Sequence, residues 1–577
     1  MSSKNRRALL LTVVAFFFTA NSSYIGAFAD PTIFYMTNVL IHLGLGFALF
    51  LAFLYTLVKR ASKLSFGDAW WIVGFLAGIA GIALITIGNL TRYRWLLYTH
   101  IALSVISLIL FALKEHEWLR VSRRVVIPFL LLSLLFPVSA RLYAKYYGPS
   151  GLIKNPTEIP LTMEEEGGGV NSPFFPSSAT TNTGTTIPAN FFMTSHKCAE
   201  CHKDIYDQWN SSAHHISSFN NQWYRKSIEY MQDVVGVQPS KWCAGCHDHA
   251  VFFNGRFDKP IKDQINTPEA QNGLGCTSCH SIVHVRSSMG QADFEIEYPP
   301  LHDLAVSDNP VLKFVHDLLL RADPEPHKKA FMKPFHRQNT AEFCSSCHKV
   351  HLDNPVNDYR WFRGFNDYDN WQASGISHQG GRSFYSPPKP MKCADCHMPL
   401  VASNDPAAVD GKVHSHRFPG ANTALPYVND DKEQLKIVTD FLQDKQISVD
   451  IFAMSSGEPT EAKPLASNGQ KDEPKLSSTF AIGEESMQSS APVVLTQPQE
   501  ITAPLNKVNA SVRRGDSVRV DVVVRTRKVG HFFPGGTVDG FDVWVELQAT
   551  DNNGKTIFWS GKTEDDASGR KGPVERG

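Results

Sequence analysis

The cysteine pattern constrains this chain more than any other feature, because all ten cysteines fall into five motifs of the form Cys-x-x-Cys-His. Two thioether bonds to one porphyrin need two cysteines on one helical turn, and the next histidine then lies under the iron as an axial ligand. Zinc-binding or redox-active Cys-x-x-Cys pairs are the alternative, but neither needs a histidine after every pair. The pattern therefore predicts five c-type haems, held by Cys198, Cys201 and His202, by Cys243, Cys246 and His247, by Cys276, Cys279 and His280, by Cys344, Cys347 and His348, and by Cys393, Cys396 and His397.

Histidines outside the motifs are numerous enough to fill the other face of each iron. From His196 onward, 14 histidines lie outside the five motifs. A filled sixth coordination position favours electron transfer, whereas an open one permits substrate chemistry. We therefore expect mostly bis-histidine haems of low potential, although any one of the 14 also fits an ordinary surface or hydrogen-bonded histidine.

Long apolar runs in the first quarter of the chain form a second signal. A bilayer core needs about 20 apolar residues in helical form. We therefore predict five transmembrane helices within residues 1–147, which excludes a purely soluble protein. The runs are Ala8–Ala29, Thr32–Val58, Ala69–Thr91, Trp95–Leu113 and the shorter, proline-containing Val125–Ala140.

The Lys and Arg residues between these runs predict their orientation, since cytoplasmic loops are enriched in positive charge. The segments before the first run, after the second and after the fourth together hold ten such residues, whereas the remaining loops hold only Arg92 and Arg94. We therefore predict a bacterial inner-membrane protein with a cytoplasmic amino terminus and everything after Lys145 on the periplasmic side. Covalent haem attachment takes place on that same side, so two independent arguments agree.

The first run also has a second interpretation. Basic Lys4–Arg7, apolar Ala8–Ala20 and small residues at Ala27–Ala29 are typical of a cleavable signal peptide. Cleavage would leave four helices with the same final orientation. We favour the uncleaved helix, because a charge-free run of 22 residues is long for a signal peptide.

Two histidines interrupt the apolar runs. His42 lies in the second run and His100 in the fourth, and these two helices are expected to be parallel. An ionisable group at membrane depth is costly and is a functional hypothesis by default. Three interpretations remain open: the pair binds a b-type haem, it contributes to a quinol site, or each histidine hydrogen-bonds a neighbouring helix.

The stretch CAECHKDIYDQWNSSAHH at residues 198–215 resembles the opening of the haem domain of the cytochrome c-552/c-554 family. That family belongs with the multihaem cytochromes that include hydroxylamine oxidoreductase and pentahaem nitrite reductase. In its pattern a Trp and a small residue precede a distal haem ligand. The resemblance implies that role for His214, which follows Trp209 and Ser212.

Two further stretches carry the resemblance. CADCHMP at 393–399, followed by KVHSHRFPG, resembles the final haem segment of pentahaem nitrite reductases and implies a distal role for His416, with His414 as the second match. CTSCHSIVH resembles segments in which a histidine after the motif ligates another haem, which implies that role for His284. The chain departs from the nitrite reductases in having no Cys-x-x-Cys-Lys motif and in carrying a membrane anchor.

The predicted fold is mainly α, with three parts. A transmembrane helix bundle over 1–147 precedes an α-helical, loop-rich pentahaem domain over 191–430 and a small antiparallel β domain over 506–577. Residues 148–190 are rich in Pro, Gly, Ser and Thr and predict a linker. Residues 431–505 predict a helix followed by a low-complexity linker.

Periodicity refines this division. A 3.6-residue period predicts helices at Val311–Arg321 and Lys432–Asp444. A period of two predicts strands at Val518–Val524 and Phe541–Leu547, and a turn at 551–554 leads into a further strand at Lys555–Ser560. About four strands cover only one sheet, so we expect a β-sandwich-like domain that is either incomplete or packed on the haem domain. His531, in the loop GHFFPGG, either serves that loop alone or approaches a haem.

These patterns favour electron transfer. The 56 Lys and Arg residues balance 56 Asp and Glu residues, which argues against a nucleic-acid partner. We expect a membrane-anchored periplasmic pentahaem cytochrome that transfers electrons between the quinol pool, or a membrane redox partner, and a periplasmic acceptor. The alternatives are a multihaem oxidoreductase of the nitrite, hydroxylamine or sulfur-oxyanion type with one open haem, and a conduit subunit of a larger respiratory complex.

Overall fold

The computed structural model describes residues 3–60, 69–115, 123–147, 156–299, 301–337, 340–359, 361–380, 386–456, 500–536, 543–565 and 571–573. In chain order its helices are α1 (Ser3–Ala27), α2 (Ile33–Arg60), α3 (Ala69–Ile87), α4 (Arg94–Glu115), α5 (Arg123–Tyr147), α6 (Ser195–Cys198), α7 (Lys203–Asn210), α8 (Gln222–Val235), α9 (Val237–His247), α10 (His249–Phe252), α11 (Cys276–His280), α12 (His302–Ala305), α13 (Pro310–Ala322), α14 (Glu325–Phe331), α15 (Pro334–Arg337), α16 (Ala341–Ser345), α17 (Asp367–Ala373), α18 (Cys393–His397), α19 (Ala424–Val428) and α20 (Lys432–Gln443).

Short strands are interspersed with these helices. They are β1 (Thr180–Thr181), β2 (Ile282–Val285), β3 (Phe294–Ile296), β4 (Lys349–Leu352), β5 (Phe362–Asn366), β6 (Leu400–Ala402), β7 (Lys412–His414), β8 (Ile447–Ser456), β9 (Ile501–Thr502), β10 (Val518–Thr526), β11 (Leu547–Thr550), β12 (Thr556–Ser560), β13 (Thr563–Asp565) and β14 (Lys571–Pro573). A mainly α architecture with small separate sheets agrees with the predicted fold class.

Four of the amino-terminal helices are long and apolar enough to cross a membrane. Their apolar segments are Ile33–Lys59, Ala69–Ile87, Thr91–Leu113 and Ile127–Tyr147. The last one contains Pro128 and Pro137 within α5 and runs past the predicted end at Ala140. In α1 the described apolar stretch, Val13–Ala27, is shorter, so the choice between five spans and a signal peptide with four stays a prediction.

Glycines let α3 pack closely against α2. A Cβ atom added to Gly74 would come within 2.4 Å of the Phe53 ring, and one added to Gly78 within 2.5 Å of the Phe50 ring. Because any larger residue would collide with these aromatic rings, the two glycines serve close helix contact.

One end of the apolar helix bundle contacts one segment of the part that contains the Cys-x-x-Cys-His motifs. The Tyr35 hydroxyl in α2 donates a hydrogen bond to Asp323, which directly follows α13. Arg94, the first residue of α4, forms an ion pair with Glu325, the first residue of α14. The backbone amide of Asn89 donates to the carbonyl of Arg321 at 2.8 Å. Residues 310–331 therefore join the two parts of the molecule.

Helix α13 begins and ends close to the predicted bounds for local reasons. The Asn309 side chain accepts hydrogen bonds from the first backbone amides, and Pro310 supplies a preset φ angle at the first helical position. In α20, Asp431 accepts a hydrogen bond from the Gln434 amide in the same way. Both predicted helices are confirmed.

The predicted linker over 148–190 is not a linker in its described part, residues 156–190. Met163 and Phe174 are each 1% exposed, and β1 pairs in parallel with β3. The Ser178 hydroxyl donates to Glu166, and both side chains are buried. Composition misled the prediction, because small polar residues here are buried and hydrogen-bonded instead of solvated. Residues 148–155 lie outside the described part.

The carboxy-terminal strands form three separate sheets among the described residues, with orders β9–β8–β10, β11–β12 and β13–β14. The predicted strand at Val518–Val524 is confirmed, and so is the hairpin at residues 551–554. The predicted strand over Phe541–Leu547 is wrong for residues 543–546, which are irregular.

The main partner of β10 comes from an unexpected place. It is β8, which lies where we predicted a linker, because a pairing that distant in sequence leaves no local signal. These sheets leave apolar side chains exposed among the described residues, and the sandwich-like arrangement stays a prediction. Val520 and Ile451 remain 42% and 54% exposed. The low-complexity stretch at 457–499 lies outside the described residues.

Candidate haem-binding site

Each Cys-x-x-Cys-His motif is folded so that its three reactive side chains lie on about one turn. The third and fifth motifs are one-turn helices, α11 and α18, and the second motif forms the end of α9. All ten cysteines are free of disulfides, and none is fully buried. The thiols are therefore available for the thioether bonds that the motif requires.

The motif histidines share one hydrogen-bonding arrangement. Three donate from Nδ1 to backbone carbonyls: His247 to Ser217 at 2.9 Å, His280 to Phe331 at 2.9 Å and His397 to Pro419 at 2.7 Å. A carbonyl oxygen only accepts, so the proton is on Nδ1. The Nε2 lone pair is thereby left for iron, as metal-ligating histidines require.

The other two motif histidines bond to carboxylates. His202 Nδ1 lies 2.8 Å from Asp405 Oδ1, and the Asp405 side chain is 1% exposed. His348 Nδ1 lies 3.4 Å from Asp367 Oδ2. Burial lowers the pKa of His348, but the hydrogen bond and charge of Asp367 outweigh it and raise that pKa overall. A carboxylate partner increases the basicity of a ligating imidazole.

Four motif histidines face a second histidine across a gap suited to one metal. Two imidazoles on opposite sides of an iron have ring centres about 6 Å apart, because each binds through nitrogen at ~2 Å. The observed pairs and centroid distances are His202–His327 at 6.3 Å, His214–His348 at 6.3 Å, His280–His416 at 6.3 Å and His397–His531 at 6.2 Å.

Burial keeps three of the opposing histidines, His214, His327 and His416, in the neutral form that binds metal. It lowers the pKa of His214 to about 3 and that of His327 and His416 to about 4. Neighbouring histidines add to this effect. The buried Nδ1 of His214 has no hydrogen-bond partner. A neutral imidazole with a free lone pair suits iron coordination.

The structure brings together some of the predicted distal ligands and not others. His214 and His416 lie opposite His348 and His280, and their ligand roles stay predictions. His284 does not face a motif histidine among the described residues; it is exposed on β2 and paired with Glu295 of β3. The structure gives no support to a distal role for His284, and that role stays a prediction. The pairing of β2 with β3 is irregular between Ile282 and His284, and the His284 side chain is exposed whereas Ile282 and Val285 are buried. His414 donates from Nδ1 to the Met398 carbonyl at 2.7 Å.

No sequence pattern singled out His327, and two roles remained open for His531. His327 lies on α14, and His531 lies in the loop after β10, each remote in sequence from the motif that it faces. Only the tight GHFFPGG loop drew attention to His531. Nothing local distinguishes His327 from the other histidines outside the motifs.

The second motif differs from the other four. Among the described residues, no histidine ring contacts that of His247. Instead, Tyr224 stacks on it, with ring centroids 4.4 Å apart and planes 11° from parallel. Both the Tyr224 and Ser218 hydroxyls donate to Asp248. Burial raises the pKa of Asp248 to about 7, against the opposing effect of these hydrogen bonds.

Contacts between cysteines reveal which motifs are neighbours. Three pairs of thiols interact and join the first motif to the third, the second to the fourth, and the fourth to the fifth: Cys198 with Cys276, Cys246 with Cys347, and Cys344 with Cys393. Electrostatic interaction between Cys279 and Cys347 links the third motif to the fourth. The fourth motif is therefore central.

Two observations bear on other metal chemistry. The described residues contain no group of three or more His, Cys, Asp or Glu side chains arranged to hold a metal ion, so they give no support to the zinc alternative. In the membrane helices, the His42 and His100 rings lie 6.4 Å apart.

Comparison with known proteins agrees with this geometry. Residues 197–281, which contain the first three motifs, match the family model described as cytochrome c554 and c-prime. No curated protein and no solved structure matches the chain. Together with the four apolar helices, the match supports a membrane-associated c-type cytochrome with covalently bound haem c.

Proposed function

We propose that the protein is a membrane-anchored pentahaem c-type cytochrome whose main task is electron transfer. The observation that carries the proposal is the set of four histidine pairs with ring centres 6.2–6.3 Å apart. Two imidazoles fill both axial positions of an iron and leave no place for substrate, which favours electron transfer over catalysis. Bound haem supplies the one-electron redox chemistry, while the chain supplies spacing, ligands and solvent exclusion.

Contacts between the motifs support one route for electrons through the protein. The first motif lies nearest the membrane helices, because its opposing histidine, His327, is on α14 and Glu325 of the same helix binds Arg94. The carbonyl of Phe331, at the end of α14, orients His280 of the third motif. Cysteine contacts then lead from the third motif to the fourth, and from there to the second and fifth. Electrons from the membrane would enter at the first motif and leave from the second or fifth.

The donor and acceptor follow from the expected orientation. With the haem domain on the periplasmic side of the inner membrane, the quinol pool or a membrane redox partner is the natural donor. A periplasmic protein is the natural acceptor. A role as conduit subunit of a larger respiratory complex differs only in that the partner is permanent. Reporter fusions after Gly148 should be active in the periplasm and fusions within Lys59–Lys63 in the cytoplasm. A cytoplasmic signal after Gly148 would contradict this topology.

A second candidate function rests on His247. Because no histidine faces it among the described residues, the haem at the second motif would have an open position. The buried Asp248, with Tyr224 and Ser218 as hydrogen-bond donors, lies beside it. This arrangement favours a multihaem oxidoreductase acting on a small nitrogen or sulfur oxyanion or on hydroxylamine.

Haem content and ligand binding test both candidates. Mass spectrometry of matured protein should show five haem adducts, and fewer than five would contradict the pentahaem proposal. Carbon monoxide added to the fully reduced protein should alter the spectrum of one c-type haem. No spectral change would remove the second candidate and leave pure electron transfer.

A further inference from the structure

The membrane bundle contains a histidine pair with the same spacing as those of the haem domain. His42 on α2 and His100 on α4 have ring centroids 6.4 Å apart and planes at 82°. The His214–His348 pair shows a similar distance, 6.3 Å, and a similar angle, 88°. A spacing that fits one iron between two imidazoles therefore recurs inside the membrane part of the chain.

Hydrogen bonds assign the tautomer of both rings. His100 Nδ1 lies 2.9 Å from the Ala77 carbonyl, which can only accept. His42 Nδ1 lies 3.3 Å from Ser22 Oγ, and the Ser22 hydroxyl proton is already donated to the Phe18 carbonyl at 2.8 Å. Both Nδ1 atoms must therefore carry the proton, and both Nε2 atoms keep a lone pair for a metal.

Neighbouring residues fix the two rings in place. The Phe18 ring stacks on His42, with centroids 5.0 Å apart. On α3, the missing side chain of Gly81 leaves room for the His100 ring, because a Cβ atom there would lie 3.1 Å from that ring. The His100 ring can thus rest against the backbone of α3. All ten cysteines belong to the five motifs, so nothing in the bundle can attach a porphyrin covalently.

We propose that His42 and His100 bind one non-covalent b-type haem through their Nε2 atoms, within the membrane. Coordination of iron and burial of the porphyrin in an apolar bundle compensate for placing two polar rings there. This site adds a sixth haem of a different chemical type to the five covalent ones.

The position of this site connects it to the first motif. His100 lies six residues after Arg94, or about 9 Å of helix rise. Arg94 binds Glu325, two residues before His327, which faces His202. Tyr35, on the same helix as His42, donates a hydrogen bond to Asp323, two residues before Glu325. The helices of both proposed ligands therefore end at the joining segment, residues 310–331, which carries His327, the histidine that faces the first motif.

A redox role for the b-type haem rests on the proposed electron-transfer function. A ferrous b-type iron would give one electron to the ferric iron at the first motif, with no bond broken and no proton moved. A membrane quinol is the chemical class of reductant that returns the b-type iron to the ferrous state. Each quinol would supply two electrons in two successive one-electron steps and release two protons as it becomes a quinone.

The test uses full-length holoprotein purified gently in detergent. A pyridine haemochrome spectrum distinguishes b-type from c-type haem, and wild-type protein should contain about one b-type haem for every five c-type haems. His42→Ala and His100→Ala should each remove the b component while the c component stays unchanged. The control is His284→Ala, which changes an exposed histidine outside every pair.

A cavity variant guards against simple misfolding. Haemin and free imidazole added together to His100→Gly should restore the spectrum of low-spin haem b, which would not happen if the histidine were purely structural. A wild-type spectrum with c-type haem alone, or a b component retained in either alanine variant, would overturn the proposal. Either result would leave the five covalent haems, and with them the proposed function, intact.

Discussion

The fourth and second motifs offer the most instructive comparison in the molecule. Both place two cysteines and a histidine on about one turn, and both motif histidines donate from Nδ1. His348 of the fourth motif faces His214 at 6.3 Å, whereas His247 of the second has Tyr224 stacked on its face. We therefore expect the motif to decide where haem is attached, and residues remote in sequence to decide what chemistry that haem can perform.

The substitution with the largest expected effect removes the opposing histidine, which is the feature that distinguishes the fourth motif from the second. His214→Ala should make the fourth haem resemble the second, because loss of a strong-field imidazole turns a low-spin iron high-spin. Its potential should rise by on the order of 0.1 V. Electron paramagnetic resonance and redox titration measure these changes. His215→Ala is the matched control and should change neither, since His215 Nδ1 only bonds to the Asn210 carbonyl.

A comparable change of spin state is expected at the fifth motif when His531, in the loop after β10, is replaced. His531→Ala should produce one high-spin haem, since His531 faces His397 at 6.2 Å. His378→Ala provides the control, because that ring hydrogen-bonds the Pro387 carbonyl instead of facing a motif histidine. An unchanged spin state in His531→Ala would mean that the loop after β10 does not complete this haem site.

A smaller effect should follow from changing the partner of a motif histidine. Asp405→Asn replaces the carboxylate that binds His202 with a neutral amide. A charged hydrogen bond is about 1 kcal/mol stronger than a neutral one, so the potential of the first haem should rise by ~40 mV. Redox titration of the first haem would detect this shift, while the second haem, whose histidine already bonds to a neutral carbonyl, should stay unchanged. A fall in potential would contradict the role given to Asp405.

The smallest expected effect concerns the contact between the membrane helices and the haem domain. Arg94 and Glu325 are about one-third exposed, and ion pairs of that kind contribute less than about 1 kcal/mol. A double-mutant cycle with Arg94→Ala and Glu325→Ala should show a coupling below that value by thermal unfolding. A coupling of several kcal/mol would mean that this pair, and not the surrounding helix contacts, holds the two parts together.

Much of the site was predictable from sequence, because attachment chemistry is local. Two cysteines and a histidine must share one turn, so the motif alone predicts where each haem is attached. Apolar length likewise located the membrane helices, and Asn309 and Asp431 cap the two predicted helices with local hydrogen bonds.

The histidines that face the motif histidines were harder to predict, because their positions depend on tertiary packing. His327 reaches His202 from α14, more than 100 residues away, and no periodicity marks it. His284 follows its motif closely and still points to solvent, because β2 turns it outward. The packed segment 156–190 was missed for a related reason: its polar side chains are satisfied by partners that only the fold supplies.

Low-temperature electron paramagnetic resonance of the oxidised holoprotein tests the central comparison most directly. We predict one high-spin ferric haem for every five covalent haems, assigned to the second motif, and low-spin signals for the other four. It also predicts that cyanide converts only the high-spin signal to low-spin. A spectrum without a high-spin haem, or with more than one, would contradict the proposed difference between His247 and the four paired motif histidines.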